Sequence, residues 1–207
     1  MKYAARMKTP AFFFDLGNVL VDFSEKKLVQ ILSEASDLPF SQVWETRIDD
    51  DIKAVETGML PPEDYFEKRI RSKIPHWEYE DLIQVWYDVF IINPKGRGLF
   101  LDLKHKGRDV YILSNLAEFN KIAVERKFPG FFEQSTANFF SYELGLIKPD
   151  LKIYEKAAEL AGVCPEDCAF LDDRAENVEG ARRAGWKAFH FTPETADHVE
   201  KQITALI

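Results

Sequence analysis

The sequence predicts an α/β protein with a doubly wound parallel sheet and a small helical bundle inserted near the start of the chain. From residue 94 onward, short apolar runs alternate with segments of helical periodicity, and right-handed connections would place such strands side by side in one parallel sheet. Residues 23–92 show helical periodicity instead and predict no strand. We therefore expect a core formed by residues 1–22 and 93–207, and a helical domain formed by residues 23–92.

The first predicted element is a buried strand over residues 11–14. Its sequence, Ala-Phe-Phe-Phe, is continuously apolar, which is typical of a strand covered on both faces of a parallel sheet. The strand ends at Asp15, and Gly17 and Asn18 follow in a segment typical of a turn. Doubly wound folds bind ligands at the carboxyl ends of their strands, so Asp15 is a candidate functional residue.

The inserted segment is predicted to be helical because its apolar residues recur three and four positions apart. A first helix is predicted over residues 24–37, with Ser24 as its N-cap, and a second helix begins near Ser41. The pair Pro61-Pro62 precedes two acidic residues and predicts a further helix start. The apolar positions of residues 82–90 predict the last helix of the segment.

The rest of the chain alternates between helix and strand. The predicted elements are, in order, a helix over 99–106, a strand over 109–113, a helix over 119–128, an extended segment over 133–140, a helix over 150–161, a strand over 169–171, a helix over 177–184, a strand over 187–191 and a terminal helix.

Composition argues against several classes of function. The formal net charge is −8 and no long basic run interrupts the acidic balance, so we expect no nucleic-acid partner. Apolar runs are too short for a membrane-spanning helix or a signal peptide, so we expect no membrane association and a cytoplasmic location. Cys164 and Cys168 have no nearby His to complete a zinc site and are interpreted as reduced thiols. The acidic run from Asp49 to Asp51 is interpreted as a solvated surface.

Polar residues lie at or near the ends of other predicted strands. Ser114 and Asn115 end one strand, where the Ser114 hydroxyl could bind a phosphate oxygen or cap the next helix. Lys148 precedes a proline and could place its ammonium in the same crevice, whereas a single lysine more often lies on the surface. Asp172 and Asp173 end a further strand, and adjacent carboxylates there are costly unless a cation such as Mg²⁺ neutralises them.

Four segments together resemble the motifs of the haloacid dehalogenase-like superfamily. They are FFFDLGNVL, VYILSN, GLIKPD and FLDDRAENVEGA, and they occur in the family's order across residues 12–181. The resemblance implies a Rossmann-like core in which Asp15 is the nucleophile that carries a transient phosphoryl group. Ser114 and Lys148 would bind that group.

The same resemblance implies a magnesium site. Asp173 would be the main ligand and Asp172 would assist it, while Asp15 and a carbonyl of the loop at Gly17 would supply further oxygen atoms. Asn177 would orient a ligand or a water molecule near the metal. The residues expected to contact the substrate are Gly17, Asn18, Ser114, Asn115 and Lys148.

The helical segment resembles the family's cap, which closes over the substrate and selects the leaving group. The turn Glu56-Thr57-Gly58 is our candidate for the contact with the leaving group, while a simple helix–helix turn is the competing interpretation and the one favoured for Gly58. Trp44 and Trp86 are interpreted as part of the cap interior rather than as platforms for the substrate.

One residue departs from the family pattern. Phosphatases of this superfamily typically carry a second Asp two residues after the nucleophile, where it protonates the leaving group, and this chain has Gly17 there. Such general acid–base catalysis typically contributes about 10²- to 10⁴-fold to the rate. The DLGN form resembles a bacterial subgroup that includes sugar-phosphate phosphatases, with glucose 1-phosphate among their substrates. An anomeric alkoxide is less basic than an ordinary one and would ease the loss of the acid.

Three functions agree with these residues. We favour a magnesium-dependent phosphomonoester hydrolase that acts on a small phosphorylated metabolite through an aspartyl phosphate. A 2-haloacid dehalogenase would use Asp15 to attack carbon and would need no metal, which the pair Asp172-Asp173 disfavours. A catalytically weak homologue would bind a phosphorylated ligand or a protein, but the combined presence of a nucleophile and its partners indicates chemistry. The sequence leaves the oligomeric state open.

Overall fold

The computed structural model describes residues 10–36 and 50–207. The helix predicted to begin near Ser41 and the residues Trp44 and Asp49 lie outside the described residues. In chain order the elements are β1 (Ala11–Phe14), β2 (Val21–Phe23), α1 (Glu25–Ser36), α2 (Asp50–Glu56), α3 (Pro62–Tyr65) with a π-helical continuation (Phe66–Arg71), α4 (Tyr79–Val89), β3 (Phe90–Ile92), α5 (Pro94–His105), β4 (Val110–Ser114), α6 (Glu118–Lys127), β5 (Ala137–Phe140), α7 (Ser141–Leu144), α8 (Leu151–Ala161), β6 (Cys168–Asp172), α9 (Ala175–Arg183), β7 (Lys187–His190) and α10 (Ala196–Thr204).

The main sheet confirms the predicted fold class. Its five described strands are all parallel and follow the order β5-β4-β1-β6-β7. Strand β1 lies at the centre, and each of its residues is at most 2% exposed. Phe14 pairs with Ile112 on one side and with Leu171 on the other. This register brings the residues that follow β1, β4 and β6 to the same edge of the sheet.

Helices cover both faces of the sheet. Phe12 and Phe14 pack into one hydrophobic cluster together with side chains of α5, α6 and α10. Phe13, which lies between them in β1, packs into a second cluster together with side chains of α8 and α9. Successive residues of a strand point to opposite faces, so a continuously apolar strand is the expected consequence of this double coverage.

The predicted absence of strands in residues 23–92 is wrong at both ends of that segment. Strands β2 and β3 pair antiparallel, with Phe23 opposite Phe90. The places where the chain enters and leaves the helical segment therefore form a small two-stranded sheet. A strand of three residues is too short to show a period of two, and this pairing joins residues far apart in sequence. Asn93 strengthens the junction, because its side-chain amide donates to Asp22 Oδ1 at 2.9 Å.

Several local signals of the helical segment are confirmed. The backbone N–H of Lys27 donates to Ser24 Oγ at 3.2 Å, as expected of an N-cap. Helix α3 begins at Pro62, the second residue of the proline pair. Asp51 forms ion pairs with Lys68 and Arg69. This acidic residue therefore joins α2 to the π-helical turn that follows α3.

The helical segment packs directly on the core. Phe119 of α6 stacks with Tyr65 and with Trp86, at ring-centroid distances of 6.1 Å and 6.4 Å. Trp86 therefore lies where these two regions meet, partly buried in the shared cluster. Gly58 has φ = +68°, and a Cβ atom at this position would lie 2.4 Å from the carbonyl oxygen of Tyr142. The turn after α2 thus lies against α7.

Two further features bear on the sequence predictions. Cys164 and Cys168 are both free thiols, and the Cys168 thiol donates to the carbonyl oxygen of Cys164 at 3.4 Å.

None of the helices in the described ranges has the length and apolar character that a bilayer crossing requires.

Candidate active site

Carboxylates from two neighbouring strand ends meet at the carboxyl edge of the sheet. Asp15 follows β1, Asp172 is the last residue of β6, and Asp173 comes next in the chain. The backbone N–H of Asp15 donates to the carbonyl oxygen of Leu171 at 2.8 Å, which continues the sheet pairing past Phe14. One carboxylate oxygen of each Asp lies within 4.8 Å of those of the other two. The three acidic residues singled out in the sequence therefore share one site.

Lys148 places its ammonium between two of these carboxylates. The Nζ atom lies 2.8 Å from Asp15 Oδ1 and 2.6 Å from Asp172 Oδ2, and it also donates to the carbonyl oxygen of Leu113 at 3.1 Å. The residue is only 3% exposed, so the interpretation as a surface lysine does not hold.

Asn115 holds the backbone of Lys148 in this position. Its Oδ1 atom accepts from the backbone N–H of Lys148 at 2.8 Å, and its Nδ2 atom donates to the carbonyl oxygen of the same residue at 3.0 Å. Both polar atoms of the Asn115 side chain are thus used on the lysine loop. Asn115 was predicted to contact the substrate. In the structure, its side chain orients Lys148.

The Asp172 carboxylate is saturated with hydrogen bonds. Oδ1 accepts from the backbone N–H of Arg174 and from Asn177 Nδ2, at 2.9 Å and 3.0 Å. Oδ2 accepts from Lys148 Nζ and from the same amide of Asn177, at 2.6 Å and 3.1 Å. Because Asp172 is fully buried, these donors stabilise its charge in place of water. Asn177 orients this carboxylate, and Tyr154 donates its hydroxyl to the Asn177 carbonyl oxygen at 2.8 Å.

Asn18 positions the third carboxylate. It adopts the left-handed conformation with φ = 56°, which Asn tolerates better than most residues. Its Nδ2 atom donates to Asp173 Oδ2 at 2.9 Å. The Asn18 carbonyl oxygen accepts from Asn93 Nδ2 at 3.3 Å, so the loop after Asp15 is connected both to Asp173 and to the junction of the helical segment.

Ser114 and Gly17 complete the immediate surroundings of Asp15. Ser114 is 2% exposed, and its hydroxyl donates to the carbonyl oxygen of Asn115 at 3.4 Å. Helix α6 has Ala117 as its N-cap, so Ser114 does not cap it. A Cβ atom at Gly17 would meet no atom within 4 Å, so the structure leaves open space beside this glycine.

The electrostatics of the site favour a bound cation. Burial raises the pKa of Asp15 to about 7, against the opposing effect of Lys148 and with added repulsion from Asp172 and Asp173. Burial also raises the pKa of Asp173, although the hydrogen bond from Asn18 opposes this shift. Burial by itself would lower the pKa of Lys148, but the charges of Asp15 and Asp172 outweigh it and raise that pKa. Within the described part of the chain, the Lys148 ammonium thus lies among three carboxylates, whose oxygen atoms are the kind of ligand that Mg²⁺ prefers.

A cavity of about 630 Å³ lies beside this site. It is lined by Lys148, Asn115 and Asn177 of the site and by side chains of α1, α2 and α4 of the helical segment. Glu56 also lines the cavity, whereas Gly58 forms the turn that rests on α7. The apolar residues of α1 and α4 were predicted to pack in the interior of the helical bundle. No local sequence signal distinguishes a core side chain from one that borders a cavity.

Comparison with known proteins gives a family match over most of the chain. The family described as haloacid dehalogenase-like hydrolase matches residues 9–185. This range contains all four motifs on which the predicted resemblance rests.

Relatives of similar length are named as phosphatases. The chain is 25% identical to phosphatase MT3486 of Mycobacterium tuberculosis, over 97% of this chain and 96% of the relative. It is 25% identical to sesquiterpene phosphatase astK of Aspergillus oryzae, over 92% and 93% of the two chains. It is 26% identical to D-ribitol-5-phosphate phosphatase of Bacteroides thetaiotaomicron, over 94% and 96%.

Solved structures share the fold. A HAD family enzyme from Bacteroides thetaiotaomicron, crystallised with magnesium and inorganic phosphate, superimposes with a TM-score of 0.76 at 23% identity, over 89% of this chain and 93% of that one. L-2-haloacid dehalogenase from Xanthobacter autotrophicus superimposes with a TM-score of 0.62 at 18% identity, over 86% and 76%.

Proposed function

Because the chain belongs to the haloacid dehalogenase-like hydrolase family, we propose that it is a magnesium-dependent phosphatase in which Asp15 is the nucleophile. One observation carries this proposal: the buried ammonium of Lys148 contacts both Asp15 and Asp172. A nucleophile beside a fixed positive charge, with Asp173 close by, suits attack on an anionic phosphate. The phosphatase names of relatives that match nearly the whole chain support the same reaction.

In the proposed reaction, an oxygen of Asp15 attacks phosphorus in line with the ester oxygen. The Asp15 O–P bond forms, the bond from phosphorus to the ester oxygen breaks, and the ester oxygen leaves as an alkoxide that takes a proton from water to become the alcohol. Lys148 and Ser114 bind the non-bridging oxygens of the phosphoryl group. Water then attacks the aspartyl phosphate, which releases inorganic phosphate and restores the Asp15 carboxylate.

We propose that Asp15 and Asp173 bind the Mg²⁺ ion, together with a carbonyl of the loop at Gly17. Bound Mg²⁺ would neutralise the carboxylates and the charge that develops on the phosphoryl oxygens. Asp172 was predicted to assist as a ligand, but four hydrogen bonds occupy its carboxylate. We therefore assign Asp172 to the positioning of Lys148.

Residues 23–92 are proposed to act as the cap over the substrate. The cavity extends from Lys148 into this segment, and Glu56 lines it, which supports a contact with the leaving group. The sequence resemblance adds glucose 1-phosphate as a candidate substrate. The names of two relatives widen the choice to a polyol phosphate and a terpenoid phosphate.

Turnover of p-nitrophenyl phosphate in Mg²⁺ and in EDTA tests the proposed function, with 2-chloropropionate as a parallel substrate. We expect phosphate release that requires Mg²⁺, no chloride release, and no turnover by the Asp15→Asn variant. Chloride release in EDTA would establish a dehalogenase instead. Substantial phosphate release by Asp15→Asn would remove Asp15 from the nucleophile role.

A further inference from the structure

The wall of the cavity points to the chemistry of the substrate. This step rests on the proposed phosphatase function and goes beyond it: we infer that the substrate is a phosphomonoester whose organic group is apolar.

The buried part of the cavity wall beyond the phosphate end is apolar. Among residues 10–36 and 50–207, it consists of Leu28, Val29, Tyr65, Ile70, Leu82 and Phe119, each at most 8% exposed. Half-buried Leu32 and Trp86 extend the same surface. Among the charged residues that the helical segment contributes to the lining, Glu25 and Lys53 are exposed and Glu56 is half-buried. Charged groups therefore stand toward the solvent side, and the interior presents hydrocarbon.

The polar residues at the other end are committed to the protein. The Asn115 amide uses both of its polar atoms on the backbone of Lys148, and the Asn177 amide donates to Asp172. The charged residues Arg174 and Glu176 also line the cavity, but both are exposed and form an ion pair with each other. The buried amides at this end therefore leave little hydrogen-bonding capacity for the hydroxyl groups of a sugar.

Asn120 also lines the cavity, but its amide donor is not exposed there. The Nδ2 atom of Asn120 is buried, with no hydrogen-bond partner among the described residues. It therefore offers no accessible donor to a hydroxyl group of a ligand in this structure.

A sugar phosphate fits this wall poorly. Its hydroxyl groups would be removed from water and placed against leucine, isoleucine and aromatic side chains without partners. An alkyl or aryl group loses no hydrogen bonds there and gains from every apolar atom that it buries. Each buried methylene is expected to raise the affinity about fourfold. The volume of about 630 Å³ lies within the range typical of sites for organic ligands of this kind.

The decisive comparison uses esters that have equally poor leaving groups. Butyl, pentyl and hexyl phosphate and glucose 6-phosphate all release a primary alkoxide, so the missing acid at Gly17 affects them alike. We expect kcat/KM to rise about fourfold for each added methylene and to be at least about tenfold higher for hexyl phosphate than for glucose 6-phosphate. A flat alkyl series, or a preference for glucose 6-phosphate or glucose 1-phosphate, would overturn the inference.

Acetyl phosphate separates this inference from the proposed function. It has a good leaving group and almost no organic group, so its Mg²⁺-dependent hydrolysis reports the chemistry alone. If acetyl phosphate is hydrolysed and kcat/KM does not rise along the alkyl series, the proposed phosphatase function is supported and the inferred apolar substrate class is wrong. If no substrate is hydrolysed, the proposed phosphatase function is wrong. Calorimetric binding of hexyl phosphate and glucose 6-phosphate to Asp15→Asn then decides the substrate class, because tighter binding of glucose 6-phosphate overturns it.

A pair of matched variants ties the preference to the cavity. Leu32→Gln places an amide in the cavity wall, and Leu160→Gln makes the same change on α8, where the side chain is 52% exposed and outside the lining. We expect Leu32→Gln to reduce the ratio of kcat/KM for hexyl over butyl phosphate at least about fourfold, and Leu160→Gln to leave it unchanged. An unchanged ratio in both variants would contradict the location of the apolar group.

Discussion

The Lys148 ammonium lies 2.6 Å from Asp172 Oδ2, and both side chains are almost completely buried. This pair holds the positive charge of the site beside Asp15, the proposed nucleophile, since the same ammonium contacts Asp15 at 2.8 Å. In the proposed reaction, Asp172 would therefore act through Lys148.

Replacement of Asp172 by Asn is therefore expected to lower kcat about 10²- to 10³-fold, because Lys148 loses the partner that aligns it with the phosphoryl group. The Mg²⁺ concentration for half-maximal activity should change little. Asp173→Asn should have the opposite signature, with a large increase in that Mg²⁺ concentration. Kinetics at varied Mg²⁺ distinguish the two residues, and an equal increase in both variants would make Asp172 a metal ligand.

The pKa of Asp15 predicts how stability depends on pH in the absence of Mg²⁺. Since that pKa is raised to about 7 from an ordinary value of 3.8, the folded protein holds a proton between about pH 4 and pH 7 that the unfolded chain has released. Stability attributable to Asp15 therefore falls as the pH rises through this window. Thermal unfolding of the wild type should show this loss, and Asp15→Asn should lack it.

Mg²⁺ should reverse the loss, because it replaces the proton on the cluster of carboxylates. At about 100 times its dissociation constant, Mg²⁺ should raise the melting temperature by about 5–10 °C at pH 8. The increase should be smaller at pH 5.5, where protons compete for Asp15. An increase of equal size at both pH values would show that Mg²⁺ binds elsewhere.

The open space beside Gly17 predicts a gain of function. A Cβ at this position meets no atom within 4 Å, so Gly17→Asp can introduce the acid that other phosphatases of the family carry. We expect hydrolysis of alkyl phosphates to rise by as much as about 10²-fold, because their alkoxides need a proton. Hydrolysis of p-nitrophenyl phosphate should change little, since its leaving group needs none. Equal effects on both substrates would indicate that the new carboxylate acts otherwise.

Two glycines of α5 provide a matched test of how that helix supports the nucleophile loop. A Cβ at Gly96 would lie 1.7 Å from the carbonyl oxygen of Val19, whereas one at Gly98 would meet nothing within 4 Å. Gly96→Ala should lower both stability and kcat, because the loop that carries Asp15 and Asn18 must move. Gly98→Ala should stabilise the protein by about 0.5–1 kcal/mol, as expected in a helix, and leave kcat unchanged. Denaturant unfolding and p-nitrophenyl phosphate kinetics of both variants provide the measurements.

The sequence by itself determined the main sheet, most helices and the three carboxylates that meet at the edge of that sheet. Apolar runs, helical periodicity and caps are local patterns, and parallel strands bring their carboxyl ends to one edge whatever the details of packing. The strand ends therefore predict that Asp15, Ser114, Asp172 and Asp173 lie at one edge, whereas the place of Lys148 beside them was implied only by the resemblance of its motif to the family.

Only the tertiary structure decided what several of these residues do. Asn115 holds Lys148 across 33 residues of sequence, and Asp172 pairs with Lys148 across 24. Strands β2 and β3 pair across the whole helical segment. The apolar residues of α1 and α4 border a cavity, although their spacing matches that of any buried helix face. Each of these properties depends on contacts between distant parts of the chain, and local periodicity carries no record of such contacts.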